Sequence, residues 1–151
     1  MKGLVQRVLK AGVEVDGREI SRIDAGVLVF LGVERGDGQN EVRELCRKVL
    51  SYRIFPDGAG RMNLSLLDTG GALLVVPQFT LAADTSSGTR PGFSRAAAPE
   101  VAKSLYLDFL DLARPAVGNK NVKEGRFGAD MKVNLVNDGP VTFMLSAGQG
   151  Q

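Results

Sequence analysis

The sequence predicts an α+β domain in which a mixed, largely antiparallel sheet, curled and barrel-like, is flanked by two main helices. Three observations predict it. Apolar segments of strand length alternate with turn signals about seven times along the chain. Two other segments carry apolar residues at helical spacing. No repeat, low-complexity linker or compositional break divides the 151 residues, so one domain is expected over residues 1–151. A chain of this size buries about 70% of its unfolded surface, enough for a real core.

Taken in order, "LVQRVL" (4–9) reads as an opening strand. "VEVDGREI" (13–20) alternates around Asp16-Gly17, a two-residue hairpin signal. "GVLVFLGV" (26–33) is a continuous apolar run of strand length, expected to be buried on both faces. After the loop "ERGDGQN", Val42, Leu45, Cys46, Val49 and Leu50 form one helical stripe. Cys46 lies on that stripe and is expected to be core.

"YRIFPD" (52–57) reads as strand and "DGAGRMN" (57–63) as a turn-rich connection. "GGALLVV" (70–76) is a second buried strand that runs into Pro77. Residues 83–98 form a polar, glycine-containing loop. "PEVAKSLYLDFLDLAR" (99–114) is the second helix, with Pro99 and Glu100 suited to its first turn and Pro115 expected just beyond its end. "MKVNLVNDGPVTFML" (131–145) predicts two strands around a turn at Asn137 to Pro140, and residues 146–151 a frayed tail.

Composition narrows the function classes. Nineteen basic residues against 17 acidic give a net charge of +2, too little to argue nucleic-acid binding from charge alone. An RNA-end binder, which needs few phosphate contacts, stays open. There is no histidine and a single cysteine. That removes Ser-His and Cys-His dyads, disulfides within the chain and thiolate metal clusters. No cofactor and no metal site is expected, so any catalysis uses hydroxyls, carboxylates, backbone groups, lysine, tyrosine or the substrate itself. No apolar run approaches the ~20 residues of a membrane span, and "MKGLVQRVLK" mixes charge unlike a secretory signal. A cytoplasmic protein is expected.

Two stretches stand out, "PQFTLAADT" (77–85) and "NDGPVT" (137–142). On residue chemistry alone the first reads as strand, bulge and loop, with Thr80 a strand residue and Gln78 capping a carbonyl. The second reads as a turn, or as a tip whose carbonyls project because Pro140 has no donor and Gly139 no side chain.

These two stretches, together with "SYRIF" (51–55), "MNL" (62–64), "TRPGFS" (89–94) and "RFGADM" (126–131), resemble the D-aminoacyl-tRNA deacylase family. The resemblance runs from "QRV" at Gln6 to "FML" ending at Leu145. It implies a homodimer that hydrolyses the ester between a D-amino acid and the 3′-terminal adenosine of tRNA, and that removes glycine from mischarged tRNA. It also implies that the Gly-Pro of one subunit, in cis, enters the other's active site and rejects L-amino acids. Carried over by position, Gly139 and Pro140 are that filter, and Arg7 holds its carbonyls. Gln78, Phe79, Thr80 and Leu81 form the active-site strand end, and Phe127 and Met131 line the pocket of the terminal adenine.

The missing histidine fits such a reaction. An aminoacyl ester is already activated, and the ribose 2′-hydroxyl can direct water. The protein then supplies an oxyanion site and positioning, with Thr80 and Gln78 expected to position rather than attack. Pro77 departs from the family's usual serine, which argues against a serine nucleophile at that place. A related animal subfamily carries Pro-Gln-Ala-Thr-Leu, with a trans Gly-Pro, and removes L-alanine from a threonine tRNA. That relaxed enzyme is one alternative reading, separated from the first by the isomer of Gly139-Pro140. A non-catalytic RNA-end-binding module is another.

Overall fold

The computed structural model describes residues 1–148. One long strand, β1 (Lys2–Val15), organises the sheet. Its first half pairs antiparallel with β3 (Gly26–Gly32), from Lys2↔Gly32 to Val8↔Gly26. Its second half pairs with β2 (Arg18–Ile23) across the expected turn, where Asp16 and Gly17 both have positive φ, 51° and 76°. That is the backbone of the hairpin turn whose twist matches its strands. Along its other edge β1 carries β8 (Lys132–Ser146). Beyond β3 the sheet turns parallel, through β6 (Ala72–Pro77) to β7 (Val122–Glu124). The two-residue β4 (Phe55–Pro56) and β5 (Met62–Leu64) form a separate antiparallel pair.

Both faces of β3 and β6 are buried. On one face Val27, Val29, Leu73 and Val75 pack against α1 (Gln39–Ser51) and α3 (Pro99–Val117), through Leu45, Val49, Phe109 and Leu110. On the other, Leu28, Leu74 and Val76 meet Val8, Val13 and Ile23, closed over by Val133 and Leu135 of β8. The sheet curls so that β2 and the start of β8 cover the face the helices leave open. This is the barrel-like curl the sequence predicts, and it explains why β3 reads as an uninterrupted apolar run. No helix among the described residues is long and apolar enough to cross a membrane.

Four expectations are corrected. Residues 131–145 are not two strands around a turn. They form the single strand β8, and both its halves pair with β1, with register shifts between Gln6 and Val8 and between Val8 and Lys10. Gly139-Pro140 is therefore a bulge within a strand. Glycine and proline fit there because the bulged residues leave the ladder and need no bond from Pro140. Pro115 lies inside α3, which runs on to Val117. In the last turn a proline removes only one helical bond, and Gly118 N–H still closes on the Arg114 carbonyl at 2.9 Å. The strand expected over 52–57 shrinks to Phe55–Pro56, and β7 and the short α2 (Leu66–Thr69) were not foreseen. Of the expected tail, Ser146 ends β8 and Ala147 is buried, its N–H donating to the Met1 carbonyl at 2.9 Å. Residues 149–151 lie outside the described residues.

Candidate active site

The site is built at the end of β6. Two donors, Tyr106 Oη and the Gly125 N–H, each reach the Val75 carbonyl at 2.9 Å. Burial pushes the Tyr106 phenol well above its ordinary pKa, with Glu124 adding in the same sense, so it stays a neutral donor. Three residues on, Gln78 N–H donates to the Leu31 carbonyl of β3 at 2.8 Å. Residues of β6 alternate between the β3 and β7 edges. Pro77 therefore directs its missing donor to the β7 side, where β7 has already ended at Glu124. The proline leaves no ladder bond unmade. Gly125 completes the fit, since a Cβ there would lie 2.9 Å from Met131 Sδ and 3.2 Å from Pro77 Cδ.

After Pro77 the chain does not continue as a strand end. Phe79–Ala82 is a single 3-10 turn, closed by Leu81 N–H to the Gln78 carbonyl at 3.2 Å and Ala83 N–H to the Thr80 carbonyl at 3.1 Å. The turn sits directly on β3, where a Cβ at Gly32 would meet Leu81 Cβ at 2.8 Å. This corrects the expected active-site strand end, and the correction matters chemically. A helical turn leaves its first N–H groups open. Those of Phe79 and Thr80 meet no protein acceptor among the described residues. Beside them Gln78 Nε2 donates to Thr80 Oγ1 at 2.6 Å. The Phe79 ring stands out into solvent, 59% exposed, with its centroid 5.3 Å from that of Phe93.

A cleft of about 440 Å³ opens between this turn, the start of α3 and residues 127–131. It is lined by the apolar Val76, Ala97 and Ala102, by Phe127 and Met131, and by Pro77, Gln78 and Phe79, with Met131 and Pro77 meeting over Gly125. Phe127 is backed by the Tyr106 ring at 6.1 Å, and Arg126 N–H donates to Met131 Sδ at 3.4 Å, which closes the loop between them. Five of the expected residues thus share one cleft: Pro77, Gln78, Phe79, Phe127 and Met131. Thr80 joins them through Gln78.

Arg7, Gly139 and Pro140 are elsewhere on the chain. From Pro77 the pairing runs to Leu31, to Gly3 and to Leu145, across β3, β1 and β8. Arg7 is four positions further along β1, so the bulge lies roughly 20 Å away along the sheet at ~3.3 Å per residue and ~4.8 Å per strand. There Arg7 does not hold the Gly139 or Pro140 carbonyl, as expected of it, but donates from Nη1 to the Ile54 carbonyl at 2.6 Å and from Nε to the carbonyl of Asp138, just before the Gly-Pro, at 3.1 Å. The Gly139-Pro140 bond is cis, Gly139 has φ 139°, and both residues are exposed. Asn137 Oδ1 accepts from Val141 N–H at 3.0 Å, and Asn137 Nδ2 donates to Thr142 Oγ1 at 3.0 Å, bracing the bulge from both sides.

The pattern of residues missed Tyr106, Gly125 and Ala102. Only Tyr106 left a signal: a phenol on the buried face of a helix needs a partner for its hydroxyl.

The family model described as D-Tyr-tRNA(Tyr) deacylase matches residues 4–146. The chain belongs to that family. It is 66% identical over 149 residues to a D-aminoacyl-tRNA deacylase of Marinobacter nauticus, covering 99% of this chain and 96% of the relative. Against the D-aminoacyl-tRNA deacylase of Teredinibacter turnerae it is 56% identical over 147 residues, covering 97% and 100%. Among solved structures it superposes on the c-Myc DNA Unwinding Element Binding Protein with a TM-score of 0.94 at 40% identity, covering 98% of this chain and 99% of that one. A probable eukaryotic D-amino acid tRNA deacylase shares the fold, with a TM-score of 0.79 at 21% identity over 95% of this chain and 97% of that one. The stretch matched by the family model includes the cleft, the 3-10 turn and the Gly139-Pro140 bulge.

Proposed function

We propose that this chain is an aminoacyl-tRNA hydrolase that releases D-amino acids, and glycine mischarged on the alanine tRNA, from the 3′ end of tRNA. The observation that carries the reading is the junction of an apolar cleft with open N–H groups. The cleft lined by Phe127 and Met131 suits a purine, and its rim ends at the turn whose Phe79 and Thr80 N–H groups point to no protein acceptor. A terminal adenosine in the cleft presents its ester at that turn. The two N–H groups then stabilise the oxyanion that forms as water attacks the ester carbonyl. The Thr80 hydroxyl accepts from Gln78 at 2.6 Å, and an amide donor there supplies no base to take its proton. Thr80 and Gln78 therefore position, and the ribose 2′-hydroxyl directs the water. An acyl-Thr80 adduct trapped from a quenched single turnover would overturn this mechanism.

Selection against L-amino acids is assigned to Gly139 and Pro140 of a second copy. On its own chain this bulge is three strands from the cleft. It is exposed, and β8 carries exposed Val136, Phe143 and Met144 beside it. A homodimer formed through this face brings one copy's bulge to the other's turn. A rigid backbone edge excludes a Cβ of the wrong hand without reading the side chain.

Release of D-tyrosine and glycine from tRNA, with L-tyrosine as control, tests the proposal. No turnover of any D-aminoacyl ester would end it. Pro77 in place of serine favours a second reading, the relaxed deacylase that removes L-alanine from threonine tRNA, while the cis Gly139-Pro140 bond differs from the trans bond of that subfamily and supports the first. Turnover of that substrate faster than of D-tyrosyl-tRNA would select it.

A further inference from the structure

Next to the cleft lies a second depression of about 600 Å³. The two share Ala96, Ala97 and Pro99, so they are continuous across the start of α3. Its floor is Phe93 and Val101, both large apolar side chains left more than two-fifths exposed, at 42% and 45%. Phe93 is also the ring packed on Phe79, so aromatic surface runs without a break from the rim of the cleft into the depression.

The charge around it is mainly positive. Arg35 lines the depression, is exposed, and has no carboxylate partner among the described residues. Its backbone N–H is held by the Arg95 carbonyl at 2.9 Å, which ties it to the loop that carries Arg90 and Arg95. Arg95 pairs loosely with Asp84 at 3.9 Å. Glu100, in the first turn of α3, is a nearby acid with no cation partner among the described residues, while Glu34 is committed to Met1 and Lys2.

We infer that this depression binds the penultimate nucleotide of the tRNA 3′ end, its base on Phe93 and Val101 and its phosphate toward Arg35. The inference rests on the cleft taking the terminal adenosine. Single-stranded RNA ends are held by stacking unpaired bases on aromatic side chains and by neutralising phosphates, which is the chemistry present here. An exposed aromatic, a free guanidinium and a continuous path from the neighbouring pocket suit a nucleotide better than a peptide.

The test uses two non-hydrolysable probes, adenosine carrying D-tyrosine as a 3′-amide and the trinucleotide CCA carrying the same amide. Wild-type protein should bind the trinucleotide about tenfold more tightly or better, the scale of one stacked base. Arg35→Ala and Val101→Asp should shrink that advantage toward unity and leave binding of the adenosine amide unchanged. Val101→Asp keeps the fold testable, since an acid in the first turn of a helix favours it. Arg35→Ala should also lower the slope of log affinity against log salt by about 0.7, the share of one phosphate on a single strand. A trinucleotide advantage of wild-type size in both variants overturns the inference, as does equal weakening of both probes. If the adenosine amide does not bind wild-type protein, the terminal-adenosine reading is the one that fails, and this one falls with it.

Discussion

Arg7 holds the carbonyl of Asp138 through its Nε at 3.1 Å and adds an ion pair to the Asp138 carboxylate at 3.4 Å. A third contact, from Nη1 to the Ile54 carbonyl, anchors the same guanidinium on the far side. One nearly buried side chain thus fixes the residue that enters the Gly139-Pro140 bulge. Lysine cannot reproduce this fork, since its ammonium is a single point of charge. Arg7→Lys should leave the protein folded but less stable by about 1–3 kcal/mol, the range of one or two hydrogen bonds to a charged group. The ratio of D-tyrosine to L-tyrosine release should fall with it. Urea denaturation and paired deacylation assays measure both, and an unchanged ratio would remove Arg7 from the filter.

Gly139 admits no side chain. A Cβ there would lie 2.6 Å from Val141 Cγ2 and 3.0 Å from Val141 N, on a backbone with φ 139°. Gly139→Ala should destabilise by about 1–3 kcal/mol, the scale of a residue held in a sparsely populated conformation. Discrimination should degrade further than with Arg7→Lys, because the bulge itself shifts. Thermal melts and the same paired assay check it.

Gln78→Ala removes the donor to Thr80 Oγ1. A lost hydrogen bond of about 1.4 kcal/mol corresponds to a tenfold effect. We expect about that loss in kcat with most of the affinity for the terminal adenosine retained, because Phe127 and Met131, the residues assigned to the purine, are unchanged. Thr80→Ser, which keeps the hydroxyl, should stay near wild type. A loss of several thousandfold in Thr80→Ser would point to a role beyond positioning.

Cys46 provides a pH signature. Burial pushes its thiol from the ordinary 9.0 up to about 11. A folded-state pKa above the unfolded one contributes stability that is complete below the unfolded value. That contribution is lost as pH rises from about 9 through about 11. The limit of the loss is about 2–3 kcal/mol. The urea midpoint should therefore fall more steeply above pH 9 in wild-type protein than in Cys46→Ala. Parallel curves would mean the thiol does not contribute. At pH 8 the native thiol should also resist alkylation until the protein is unfolded.

Assembly can be tested on β8. Met144 is 50% exposed and Val136 40%. If these residues cover the second copy, Val136→Asp with Met144→Asp should give a folded monomer with little deacylase activity. Light scattering and the D-tyrosyl-tRNA assay together decide, and a fully active monomer would contradict a site completed in trans.

The sequence by itself determined the α+β class, the buried β3 and β6, the stripe of α1 and the turn at Asp16-Gly17. These rest on local period and turn chemistry, which neighbouring residues carry. It also brought Pro77, Gln78, Phe79, Phe127 and Met131 together through resemblance, and the cleft unites those five. Only the tertiary structure decided that residues 132–146 form one strand rather than a hairpin. A partner as long as β1 can satisfy both halves, and nothing within the segment announces that partner. It alone showed why Pro77 is tolerated, because the end of β7 is a fact about another strand. And it alone turned the residues after Pro77 into a 3-10 turn with open N–H groups, since the close packing of Leu81 on Gly32 depends on a glycine more than forty residues upstream.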